Sequence, residues 1–269
     1  MKSSKILFNE IINNANTPSR EKEYLTFHKN RFNRFDEFLK KISVTHQRSF
    51  KVLEIGSHYL HSSVLLSSKG FHVDSMDVSE FWELDFVQLR AKKYNLNPII
   101  ENDLSRLESV SETYDKYDLI VFTEILEHIT FNPISFWKRI YQILKSKGII
   151  YITTPNAFSL PYLVRNLKNI LFLKSTGITI DEIMSKVTYG HHWKEYSAPE
   201  IKKYFSFLSS DFEVEINPYQ YKFHDLKPPN LVFKILSRIG NMTNVFADDL
   251  EVIVKLNKKT GWKIKSPTH

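Results

Sequence analysis

The sequence predicts an α/β fold built on a doubly wound, mostly parallel sheet, and three observations carry that reading. Near-continuous apolar runs, FKVLEIG, FHVDSMD, NPIIEND, YDLIVFTE and GIIYITTP, end at residues 56, 77, 103, 124 and 155. Strands buried on both faces need such runs rather than a strict apolar/polar alternation. Helical patterns fall between them, as crossover connections require. Four of the five runs carry a carboxylate at or within two residues of their end, Glu54, Asp77, Asp103 or Glu124, and a doubly wound sheet binds its ligand just outside those ends.

Taken in order, Phe32, Phe35, Leu39 and Ile42 recur at helical spacing ahead of the first strand. Residues 1–45 therefore read as an N-terminal helical cap. In that cap Tyr24, His28 and Arg31 form one stripe that is expected to close over the ligand. The first strand runs into GSHYLH, a turn with a single glycine, Gly56. A nicotinamide-binding turn would need G-x-G-x-x-G, so that class of oxidoreductase or epimerase is disfavoured. NPISFWKRIYQILKSKG predicts a helix with Pro133 in its first turn, Ile134, Trp137, Ile140, Tyr141 and Leu144 on one face, and Gly148 just past its end. After the fifth strand, residues 157–190 are too long for an ordinary connection and read as a lid insertion over the acceptor side. SAPEIKKYFSFL opens on a capping box made by Ser197 and Glu200. FEVEIN (212–217) and LEVIVKL (250–256) close the main domain, residues 46–257, as a hairpin-like pair, and 258–269 form a tail.

Composition narrows the function. The 269 residues are 42% hydrophobic and 14% aromatic, ample for a core, and with no cysteine they allow no disulfide, thiolate metal site or cysteine nucleophile. The net charge of +7, spread rather than blocked, suits a phosphate-bearing substrate, a nucleic acid, an anionic membrane surface or a plain solvated surface. No segment approaches the roughly 20 apolar residues of a membrane span, and the start lacks a signal-peptide pattern. The expectation is a soluble, cytoplasmic protein without stable membrane insertion. PYLVRNLKNILFL could lie on a membrane surface, but its thin polar face disfavours this.

The strand-end acids describe a nucleoside site. Asp77 lies 77 − 54 = 23 residues beyond Glu54, near the roughly 20-residue offset at which an acid meets the two hydroxyls of a ribose. A carboxylate accepts from both vicinal O–H groups, and Asp103 could accept from an adenine amine.

VLEIGS, MDVSE, ENDLSRL, YDLIVFTEILEHI and LKSKGIIYITTPN fall in the order and spacing of the class I S-adenosylmethionine (SAM)-dependent methyltransferases. The chain resembles their small-molecule branch, whose fourth motif ends in LEHI, over roughly residues 48–156. HHWKEYSAPEI and DDLEVIVKL resemble it more weakly. The resemblance implies a Rossmann-like, seven-stranded sheet with an antiparallel last strand, and SAM as cofactor. It implies that Glu54 and Gly56 flank the methionine part, that Asp77 holds the ribose, and that Asp103 and the backbone at Leu104 meet adenine. Ser57, Val78 and Thr123 complete the cofactor set. SAM carries no pyrophosphate, so one glycine can serve where a dinucleotide turn needs several.

A sulfonium already activates the methyl group, whereas an unactivated hydroxyl acceptor needs a general base. His128 and His192 are the candidate bases, and Glu124 could bind the acceptor or the SAM ammonium. Asn156, Arg165, Tyr189 and His191 are expected on the substrate side, with Lys168 and Lys174 beside Arg165 able to meet a phosphate. Glu127 and His128 are adjacent, and adjacent helical residues do not share a face, so no metal is expected. Enzymes that methylate base amines in nucleic acids resemble one another in an Asn/Asp-Pro-Pro-aromatic stretch where this chain has TEIL, so no nucleic-acid partner is expected. NPYQY and LKPPN resemble that stretch only in composition. The leading reading is O-methylation of a sugar or sugar nucleotide for surface polysaccharide, by a chain that could be a homodimer. The alternatives are N-methylation of a small (phospho)amine, a quinone-like acceptor, or a non-catalytic SAM-fold binding module.

Overall fold

The computed structural model describes residues 4–13, 18–45, 50–174, 177–185, 190–220 and 231–265. Three helices, α1 (Ser4–Ile12), α2 (Ser19–Phe27) and α3 (Lys29–Thr45), precede β1 (Lys51–Ile55), α4 (His61–Ser68), β2 (His72–Asp77), α5 (Ser79–Trp82), α6 (Asp85–Lys93) and β3 (Asn97–Ile100). The second half runs β4 (Tyr117–Thr123), α7 (Ile134–Ile143), β5 (Leu144–Pro155), α8 (Leu160–Leu171), α9 (Ile180–Ser185), α10 (Ala198–Leu208), β6 (Phe212–Tyr219), α11 (Leu231–Asn241) and β7 (Asp249–Leu256). The strands form one seven-stranded sheet in the order β3-β2-β1-β4-β5-β7-β6. Pairings among β1 to β5 are parallel, and β7 runs antiparallel to both β5 and β6. The doubly wound, Rossmann-like sheet read from the sequence is therefore present, antiparallel closing strand included.

Alternation of side chains along each strand explains the uninterrupted apolar runs. Leu53 and Ile55, Ile120 and Phe122, and Ile150 and Ile152 enter one core with Trp137 of α7 and Phe205 of α10. The intervening Val52, Leu119, Val121 and Tyr151 enter the other, with Phe32, Phe35 and Leu39 of α3 and Leu65 of α4. The amino-terminal helices thus form one wall of a sheet-facing core. Buried charges fasten them there. Glu21 of α2, fully buried, accepts from Arg90 of α6 at 2.5 Å and pairs with His61 of α4 at 2.6 Å, while Arg90 also donates to the carbonyl of Tyr59 at 2.6 Å. Burial holds the His61 imidazole down at about 4, against the pull of Glu21. Lys69 and Asp36 form a second buried pair at 2.6 Å, joining α4 to α3.

The helix expected through Leu144 ends at Ile143 instead. Leu144 already pairs with Tyr117 of β4, across an irregularity that precedes the regular Leu119–Ile149 register. Strand pairing overrides the helical pattern, and Gly148 lies inside β5 rather than past a helix end. A Cβ there would come within 2.7 Å of Leu144 Cδ1 and 2.8 Å of the Lys145 carbonyl, so a close approach is what calls for glycine. The Ser197/Glu200 capping box forms as read. In the 157–190 insertion, α8 packs against α11: the Leu160 amide donates to the Phe246 carbonyl at 3.2 Å, and Gly240 lies against Leu160.

Arg90→Ala leaves Glu21 buried with only His61 and should cost about 3 kcal/mol or more in urea unfolding. The exposed Thr26→Ala should stay within about 0.5 kcal/mol.

Candidate functional site

Strand order reverses between β1 and β4, and a cavity of about 770 Å³ opens beyond the carboxyl ends of the strands at that point. Every residue assigned from the sequence to the cofactor lines it: Glu54, Gly56, Ser57, Asp77, Val78, Asp103, Leu104 and Thr123. Glu124, His128 and His192 line it as well.

The turn after β1 takes up the left-handed conformation three times. Gly56 has φ +76°, and a Cβ there would fall 2.3 Å from Ile125 Cδ1. His58 (φ 46°) and Leu60 (φ 64°) adopt the same region without being glycine, at a cost on the order of 1–2 kcal/mol each. Their surroundings hold them. The amide of His58 donates to Asp77 Oδ2 at 2.5 Å, and its ring stacks on Tyr59 at 3.7 Å and meets the edge of Phe81 at 4.6 Å. Leu60 is fully buried, and the amides of Gly56 and Ser57 both donate to the Met76 carbonyl at 3.0 Å. Aromatic stacking and backbone bonds to β2 replace the missing glycines.

The acids around this turn sit in unequal environments. Glu54 is 2% exposed and accepts from Ser63; burial pushes its carboxyl up to about 8. Asp77 accepts from the amides of His58 and Val78, which offset part of its burial and leave it raised to about 6. Asp103 stands at the rim with a half-exposed side chain, held below the usual carboxylate range chiefly by Ser105. Its neighbour Glu101 is the buried one, and accepts from Ser109 Oγ at 2.8 Å and from the Asp103 amide at 3.1 Å. The Ser57 hydroxyl is buried in the cavity wall with no hydrogen-bond partner among the described residues, which suits a cofactor polar group at the end of β1.

The other end of the cavity follows β4. Glu124 (φ 53°) donates its amide to the Thr153 carbonyl at 2.8 Å and accepts from Thr153 Oγ1 at 2.7 Å. The next residues turn through one 3₁₀ turn, Leu126–His128. Segment 190–196 docks on that turn, with the Trp193 amide donating to the Glu127 carbonyl at 2.8 Å. His128 Nδ1 lies 2.8 Å from the His191 carbonyl. A carbonyl only accepts, so Nδ1 carries a proton, and Nε2 faces the Glu127 carboxyl at 3.9 Å. The His192 ring stands edge-on to His128 at 4.9 Å, and its Nδ1 is 3.4 Å from Glu195. Glu127 is wholly buried, accepts from Thr154 Oγ1 at 2.9 Å, and is raised well above the ordinary range by burial and by Glu124. The face argument against a metal does not hold for this tight turn. Donor atoms of Glu127, His128 and His192 lie within 4.8 Å of one another and could hold a cation.

Three of the expected substrate contacts lie elsewhere. Asn156 is buried and its amide donates to the carbonyls of Val245 (2.8 Å) and Ala247 (2.9 Å), bracing the approach to β7. Arg165 is exposed on α8 over the ring of Tyr162, with Lys168 and Lys174 also outside the cavity. His191 is buried and contributes its carbonyl to His128, its ring facing Trp193. Tyr189, the LKPPN stretch and the last residue of NPYQY lie outside the described residues. Among the described residues of 157–190, only Gly190 lines the cavity.

Other walls went unread in the sequence. Asp249 opens β7 and pairs antiparallel with Pro155, so both face the cavity, a register that a single chain's spacing does not reveal. Glu195 arrives with His192 on the docked loop. From the amino-terminal helices comes Phe27, beside Tyr24, His28 and Arg31, the stripe that the sequence did predict over the ligand. Arg31 donates to Tyr24 Oη at 2.8 Å, and burial, then Arg31, hold His28 far below the usual histidine range.

This sheet, with its acids at successive strand ends around a switch-point cavity, is the architecture of a SAM-dependent methyltransferase. The family model described as a methyltransferase domain matches residues 27–214, and the chain belongs to that family. A mitochondrial ubiquinone biosynthesis O-methyltransferase of Rattus norvegicus is 32% identical over 93 residues, 35% of this chain. That match spans only 24% of the rat protein's length. Among solved structures, a SAM-dependent methyltransferase from Archaeoglobus fulgidus is similar, with TM-score 0.52, 16% identity, and 87% of this chain and 99% of that one covered. The methyltransferase in complex with the Trm112 activator of Haloferax volcanii gives TM-score 0.55 at 12% identity, covering 89% and 94%. These two likenesses are of fold.

If Asp77 accepts from ribose hydroxyls, its ionised form binds best, so S-adenosylhomocysteine affinity should rise as pH increases through about 6 and then level off. By calorimetry Asp77→Asn should flatten that rise and weaken binding about tenfold to a hundredfold. Gly56→Ala, which drives a Cβ into Ile125 at positive φ, should lose affinity to a similar extent.

Proposed function

We propose that this chain transfers a methyl group from SAM to a hydroxyl of a small acceptor, with His128 as general base and His192 beside it. One observation supports the reading: the His191 carbonyl holds the proton of His128 Nδ1 on a ring that lines the cavity, so Nε2 is the atom that would take the acceptor's proton. SAM supplies a methyl group already activated by its sulfonium. Glu54, Ser57 and Asp77 would orient it, and the aromatic wall of Tyr24, Phe27 and Phe81 would exclude water. What the acceptor demands of the chain is removal of one proton, which suits an imidazole near neutral pH.

The acceptor in this reading is a sugar, a building block of a surface polysaccharide. Thr130, Glu195 and Asp249 near the histidines offer partners for several hydroxyls. Arg31 is the one Lys or Arg on the cavity wall among the described residues, which supports a neutral sugar over a nucleotide-linked one. A phenolic, quinol-like acceptor is a second reading, favoured by that aromatic wall and by the similarity to the ubiquinone biosynthesis O-methyltransferase.

Incubation with SAM and separate pools of free sugars, sugar nucleotides, catechols and phospho-amines, followed by mass spectrometry, should yield one added methyl on a hydroxylated compound. Methylation of the amines alone would defeat the proposal. His128→Asn should lower turnover about a hundredfold while leaving S-adenosylhomocysteine affinity unchanged. The proposed chemistry needs no metal, so dialysis against EDTA should leave the rate intact. A rate restored only by added cation would reassign Glu127, His128 and His192 to metal binding.

A further inference from the structure

Helices α8 and α11 pack side by side, and their outer surface is apolar to an unusual degree. Leu167 (58% exposed), Leu171 (72%), Phe172 (66%) and Leu173 (96%) project from the α8 side, and Ile235 (48%) and Ile239 (50%) from α11. Large apolar side chains exposed together on two packed helices mark a surface with a partner. The charges interspersed with it all have one sign. Residues 157–174 contain Arg165, Lys168 and Lys174 and no Asp or Glu, and residues 231–247 contain Lys234 and Arg238 and no Asp or Glu. Arg165, Lys168, Lys174 and Arg238 are exposed.

That combination selects an occupant. Pairing this face with its own copy would bring cations against cations, because a two-fold interface sets one patch upon itself. An anionic bilayer offers acyl chains for the leucines and headgroup phosphates for the cations. No helix among the described residues is long and apolar enough to cross a membrane, so contact would be at the surface. The thin polar face of PYLVRNLKNILFL disfavours such contact for that segment alone, but the cations that α11 adds beside it change the balance. We propose that the α8–α11 face docks on the surface of an anionic phospholipid membrane. Pro155, on the cavity wall, lies five residues before α8, and Asp249, on the same wall, three residues after Phe246. Docking would depend on these helices alone, whatever the acceptor.

The test is flotation of the full chain with vesicles of phosphatidylglycerol or of phosphatidylcholine. Binding is expected to phosphatidylglycerol, to fall as salt is raised, and to be weak on phosphatidylcholine. The double variant Arg165→Gln/Lys168→Gln should weaken it about thirtyfold, and Leu171→Glu/Phe172→Glu should do at least as much. All four positions are exposed, so the melting temperature and S-adenosylhomocysteine binding should not change. Absence of binding to phosphatidylglycerol, equal binding to both lipids, or folded variants that bind like the parent chain would overturn the proposal. So would sedimentation showing a dimer that Leu171→Glu/Phe172→Glu dissociates.

Discussion

The hydrogen bond from the His58 amide to the Asp77 carboxylate, at 2.5 Å, ties the turn after β1 to the end of β2. Much of the site follows from it. With that amide bound, the chain can pass through left-handed conformations at His58 and Leu60 without glycine, and the His58 ring is delivered onto Tyr59 and Phe81. The same carboxylate accepts from Val78 and faces the cavity. One acid therefore shapes the turn and stands where a ribose is expected. Its pKa, raised to about 6, reflects these opposed demands of burial and hydrogen bonding.

The amino-terminal helices bear on this turn from behind. Glu21, His61 and Arg90 join α2, α4 and α6, and Arg90 reaches the Tyr59 carbonyl within the turn itself. Tyr24 leaves the same α2 helix to approach His58 at 5.0 Å. Cofactor turn, helical wall and buried charges form one unit, so a change in the helices is felt at the cavity. Such a buried ionic cluster is costly to desolvate; here it fixes which helix face meets the turn.

What could be read in the sequence was whatever a single chain encodes locally. Apolar runs and terminal acids gave the parallel strands, the switch-point residues and the Ser197 capping box, because burial on two faces and capping geometry leave direct marks on composition. Leu144 and Gly148 misled, since helical periodicity continued into residues that pair with β4. Asp249 was illegible because only the antiparallel register of β7 opposes it to Pro155. Asn156 and His191 looked like ligand contacts by position, yet their hydrogen bonds serve the frame. Arg165 was assigned to a lid by loop length, whereas the apolar side of α8 found α11.

Gly56 has room for no Cβ because Ile125 fills the space, and the carbonyl of Ile125 receives the amide of His128 at 2.9 Å. The two active ends of the cavity are therefore in mechanical contact through a single isoleucine. Replacing either Gly56 or Ile125 would therefore disturb the turn after β1 and the turn that carries His128 together.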